Sequence, residues 1–89
     1  MAVYCVSYDL NKSGQNYKGL INELEESPSW WHHLGSTWLI ATHESADQLF
    51  KRLKPYLDDN DGILIITVTY PKSGWLTQEA WDWINEHLT

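Results

Sequence analysis

Between Leu34 and Thr37 the chain has room only for Gly35 and Ser36, and both flanks, Ser29–Leu34 and Thr37–Thr42, carry aromatic or β-branched residues. A two-residue connection that opens with glycine between two such runs predicts a β-hairpin closed by a type II′ turn. The middle of the chain is thereby committed to a pair of antiparallel strands, and the rest must build around it.

Upstream, Ala2–Tyr8 is apolar, aromatic and β-branched, and the polar stretch Asp9–Gln15 stops it, which predicts a first strand and a loop. Tyr17, Leu20, Ile21 and Leu24 recur at helical spacing within Asn16–Glu26, and Ser27-Pro28 ends the pattern. Downstream, Ser45 with Gln48 forms a capping-box pattern ahead of the apolar stripe Ala46, Leu49, Phe50, Leu53 and Leu57; Pro55 should kink the last turn. Asp58–Gly62 reads as a polar turn, and Ile63–Tyr70 is the strongest strand pattern in the chain. After the break Pro71–Gly74, Thr77 is placed to cap a last helix, Gln78–Leu88. On that helix Ala80, Trp81, Ile84 and Leu88 share one face while Trp83 points elsewhere.

This β-α-β-β-α-β order, followed by a helix, predicts an α+β sandwich of ferredoxin-like type. Right-handed crossovers then give a four-stranded antiparallel sheet of order 4-1-3-2, with the first two helices on one face. Residues 1–89 are expected to form one domain, with a core over 2–70 and the added helix over 75–88. The second sheet face must be covered by the last helix, by another subunit, or by both. A domain of this size buries only about 60–65% of its unfolded surface. With six Trp and five Tyr to hide, a homodimer is expected.

The formal charge of −6, from six Lys or Arg against twelve Asp or Glu, is the wrong sign for a general grip on phosphate backbones. Any RNA contact must be local or metal-bridged. Lys51, Arg52 and Lys54 make the only basic cluster, which reads as a solvated helix face. The single Cys5 allows no intramolecular disulfide and fits a reducing compartment. With no apolar run of membrane-spanning length and no signal-peptide pattern, a cytoplasmic location without membrane association is expected.

The start Val3–Leu10, together with Ser36–Ile40 and Asp61-Gly62, resembles the small CRISPR-associated endoribonuclease of the spacer-acquisition complex. More closely, Tyr8–Asn11, Trp30–His33 and Ser36–Leu39 resemble blocks of short bacterial proteins labelled SinR-like, within a fold group that also holds virulence-associated protein D. The resemblance implies a homodimer in which Asp9, at the end of strand one, lies beside its symmetry mate and binds a divalent metal. The chain departs from the CRISPR-associated pattern in lacking a basic cluster early in helix one, and in carrying a helix where that family has a C-terminal clasping strand.

The expected topology brings Asp9, His33, Ser36, Asp58, Asp59 and Asp61 to one edge of the sheet. Carboxylates beside an imidazole suit Mg²⁺ or Mn²⁺, because hard cations prefer oxygen ligands and a metal-bound water can attack a phosphodiester. In that scheme Asp9 holds the metal, His33 and Ser36 orient substrate or water, and Asn11, Lys12 and Gln15 contact a phosphate. Turn propensity alone also accounts for Asp58–Asp61, and strand-edge polarity for His32 and His33. Tyr4, Tyr8 and Trp38 suit either base stacking or core packing. Three functional classes follow: a metal-dependent ribonuclease, a non-catalytic dimeric interaction module of a toxin-antitoxin or defence locus that binds a protein through its Trp-rich surface, and an RNA-binding sheet without catalysis.

Overall fold

The alternating pattern of Ala2–Asp9 and the hairpin runs produce three strands, β1 (Ala2–Asp9), β2 (Ser29–Leu34) and β3 (Thr37–Thr42). Strand β4 (Gly62–Thr67) and helices α1 (Lys18–Glu25), α2 (Ala46–Leu53) and α3 (Gln78–His87) complete a small α+β structure. The structure is a computed structural model, and it describes residues 1–11 and 17–88. The sheet is antiparallel, in the order β2-β3-β1-β4.

Strand alternation sorts the side chains into two layers. On one face Tyr4, Val6, Trp38 and Ile40 pack against Leu20 and Leu24 of α1 and Leu49 and Leu53 of α2. Trp38 at 1% exposure and Ile40 at 0% fill the centre of this core. The buried polar tips are satisfied: Tyr4 Oη donates to the Glu44 carbonyl at 2.8 Å, and Trp38 Nε1 donates to Tyr8 Oη at 3.0 Å. On the opposite face Trp31 and Leu39 pack against Ala80 and Ile84 of α3.

Local signals explain how the helices begin and end. Ser45 Oγ accepts from the Gln48 N–H at 3.1 Å while Gln48 Oε1 accepts from the Ser45 N–H at 2.8 Å, so the capping box forms as expected. Thr77 Oγ1 likewise accepts from the Ala80 N–H at the start of α3. Helix α2 stops at Leu53 and tightens into a 3₁₀ turn over Lys54–Tyr56, which carries Pro55. In α1, Gly19 lies under the Tyr56 ring, where a Cβ would meet Cδ1 at 2.7 Å.

Several expectations are corrected. The hairpin turn is not type II′: Gly35 is not in the left-handed region, and no described non-glycine residue has positive φ. Turns outside the primed types splay the strands, and the ladder accordingly shifts register between Trp31 and Leu34. Strand β4 ends at Thr67 rather than Tyr70. Trp83 packs against the same cluster as Trp81, donates from Nε1 to Ser29 Oγ at 3.2 Å and stacks on His87. Helix α1 begins at Lys18; Asn16, its expected start, lies outside the described residues.

Arg52 is not part of a solvated basic face. Its guanidinium bonds the Glu44 carboxylate through Nε at 3.1 Å and Nη2 at 2.9 Å, the Glu23 carbonyl through Nη1 at 2.7 Å, and Ser27 Oγ at 3.0 Å. One side chain of α2 thus ties down the end of α1 and the connection after β3. The hydrogen bonds from Arg52 are the chief reason the Glu44 carboxyl stays below the ordinary glutamate range, against an opposing contribution from burial. Burial works against the Arg52 charge, but its bonds to Glu44 and Glu23 outweigh it and raise the guanidinium pKa.

Candidate functional site

Helix α3 covers only part of its sheet face. Its cluster takes in Trp31 and Leu39 and reaches Cys5 and Val68, but not the side chains of β4 that share this face. Because Ser7 pairs with Leu64 and Cys5 with Ile66, Leu64 and Ile66 stand on the same side as α3. They are 57% and 53% exposed, on the edge strand of the sheet. The result is an open half-face built from β1 and β4. Burial raises the Cys5 thiol pKa, which disfavours the reactive thiolate.

Asp9 lies at one end of this half-face, exposed and paired with Gly62 across the ladder. It borders a shallow depression of about 260 Å³ together with Ser7, Gly62 and Leu64. Ser36 comes close through its backbone, since its carbonyl accepts from the Tyr8 N–H at 3.1 Å. His33 is elsewhere: it stands edge-on to Trp31 with ring centroids 5.3 Å apart and lines a different cavity. The expected trio Asp9, His33 and Ser36 therefore does not share one hollow within a single chain.

The Asp-rich turn is occupied with its own closure. Asp61 Oδ1 accepts from the Asn11 N–H at 2.8 Å and from Tyr17 Oη at 2.7 Å, and its Oδ2 accepts from the Asp58 N–H at 2.7 Å. Asn11 also donates from Nδ2 to the Asn60 carbonyl at 3.0 Å. Asp61 thus latches the end of β1 to the turn before β4, a role that accounts for both oxygens. Lys12 and Gln15, expected to contact phosphate, lie outside the described residues. Among the described residues, no group of three or more His, Cys, Asp or Glu side chains is placed to hold a metal ion.

The adjacent His32 and His33 on β2 face opposite ways, as alternation requires. His32 stacks on Trp38 with centroids 3.9 Å apart and planes 16° apart, against the helix-covered layer. Tyr4 and Trp38 are buried in that layer and Tyr8 packs against it, so these aromatics form core rather than an open stacking platform.

A second hollow, of about 560 Å³, lies between β2 and the segment leading into α3. Trp31, His33 and Leu34 line one side, and Trp75, Leu76, Thr77 and Glu79 the other. Trp75 is 100% exposed. The sequence signalled a surplus of tryptophan, but nothing local singled out Trp75, because its exposure depends on where β2 and α3 meet. Among the described residues no helix is long and apolar enough to cross a membrane. No family model, curated protein or solved structure matches this chain.

Proposed function

We propose that this protein is a homodimeric protein-interaction module of ferredoxin-like fold, acting in the cytoplasm, whose subunits meet through the half of the sheet that α3 leaves open. The observation that supports this reading is the pair Leu64 and Ile66, both more than half exposed, on an edge strand beside Ser7 and Cys5. In a two-fold arrangement each side chain contributes from both subunits, and covering its remaining exposed half is worth about 0.8–1.5 kcal/mol. The net charge of −6 favours protein over nucleic acid as the further partner. Sedimentation of wild type and Leu64→Glu tests the dimer: wild type should run as two chains and the variant as one, with an unchanged far-UV spectrum. Two monomeric samples would overturn the reading.

A second reading, the metal-dependent ribonuclease implied by the resemblance to the CRISPR-associated family, is favoured by the position of Asp9. It sits exposed at the rim of the same half-face, so a two-fold axis there would bring two Asp9 carboxylates together. Such a pair is an oxygen donor set suited to Mg²⁺ or Mn²⁺, which when bound supplies an activated water. Labelled single-stranded RNA incubated with wild type and Asp9→Ala, with either metal or EDTA, tests it. Metal-dependent cleavage that a still-dimeric Asp9→Ala lacks would support this reading; inert dimers of both forms would leave the interaction module.

A further inference from the structure

We propose that the hollow between β2 and the start of α3 is a receptor for an arginine side chain presented by a partner protein. This rests on the interaction-module reading and gives the partner a chemistry. Three observations carry it. The hollow measures about 560 Å³ and is partly open to solvent, so a side chain carried by a partner can enter it. Trp31, 6% exposed, and Trp75, fully exposed, both line it, so a buried indole and a freely accessible one border the same hollow. Among the described residues its only lining carboxylate is Glu79, and no Lys or Arg lines it.

An aromatic face beside a carboxylate selects a particular cation. A guanidinium is planar, lies flat on an indole and presents a fork of N–H donors to a carboxylate, whereas an ammonium is a compact, strongly hydrated point charge. An anion is disfavoured even though the hollow adjoins a helix N-terminus. The Ala80 N–H there is already taken by Thr77 Oγ1, and Glu79 adds negative charge in the first turn. The overall charge of −6 also attracts a basic partner segment.

The test is titration of ¹⁵N-labelled protein with acetyl-Gly-Arg-Gly-amide, followed through the six tryptophan indole N–H signals. Parallel titrations use the same peptide with citrulline, a planar neutral isostere, or with lysine, and adenosine monophosphate as a stacking anion. The Arg peptide should shift the Trp75 and Trp31 signals saturably, with the citrulline and Lys peptides binding roughly tenfold more weakly. Glu79→Gln should lose a similar factor and Trp75→Ala should abolish binding; neither residue is buried, so both variants should fold. Equal binding of citrulline, tighter binding of the nucleotide, or no shift at Trp75 would overturn the proposal. Titrating monomeric Leu64→Glu separates the two readings, because the sheet lines the hollow through Trp31, His33 and Leu34 of β2 and not through β4: arginine binding should persist there. Loss of arginine binding with an intact wild-type dimer would sink the receptor alone.

Discussion

Arg52 shows how one side chain can carry a disproportionate share of the order in a small domain. Its donors reach Glu44, Glu23 and Ser27, residues 8, 29 and 25 positions away, and its side chain is only 22% exposed. Replacing it with Met keeps the aliphatic stem but leaves the two glutamates partly buried without their cation. Arg52→Met should therefore lose about 1–3 kcal/mol in urea unfolding. The pH dependence follows from the lowered Glu44 pKa. Its stabilising contribution is complete above the ordinary glutamate range and disappears as the pH falls through the depressed folded-state value. The wild-type urea midpoint should thus fall on acidification in that window, and Arg52→Met should flatten that fall. The sequence placed Arg52 in a basic cluster, because periodicity reports which face of a helix a residue occupies and not which distant carboxylates that face meets. The Asp61 latch was illegible for the same reason: an Asp-rich turn is ordinary in sequence, and only the fold brings the Asn11 N–H and Tyr17 Oη to it.

At the scale of elements, the caps were the most legible features, since their chemistry is complete within four residues. Ser45 with Gln48 and Thr77 ahead of α3 both form the bonds their spacing implies. Thr77→Ala should cost about 1 kcal/mol. Because α3 is the lid over Trp31 and Leu39, that loss should appear as faster hydrogen exchange across α3 ahead of the central strands. Deleting the packing face is more severe: Ile84, 5% exposed, should cost about 2–4 kcal/mol as Ile84→Ala in the same unfolding experiment. The strand boundaries were less legible. The β-branched run continues through Val68 and Thr69, and the Val68 N–H still donates to the Val3 carbonyl at 2.8 Å, yet the regular ladder of β4 ends at Thr67.

Considered whole, the molecule has two unequal layers on its sheet: two helices on one face, and a single ten-residue helix, leaving Leu64 and Ile66 open, on the other. If the open half is the subunit interface, folding is linked to association. The urea midpoint of wild type should then rise with protein concentration, while that of Leu64→Glu should not change. The sequence by itself determined the strand and helix types and their order, because the two backbone periodicities and the caps are written within single segments. It also implied that one sheet face would need more cover than two helices provide. Only the tertiary structure decided how far α3 reaches, which histidine meets Trp31, and why Trp75 is left in solvent. Those outcomes depend on contacts between residues far apart in the chain, which no local pattern encodes.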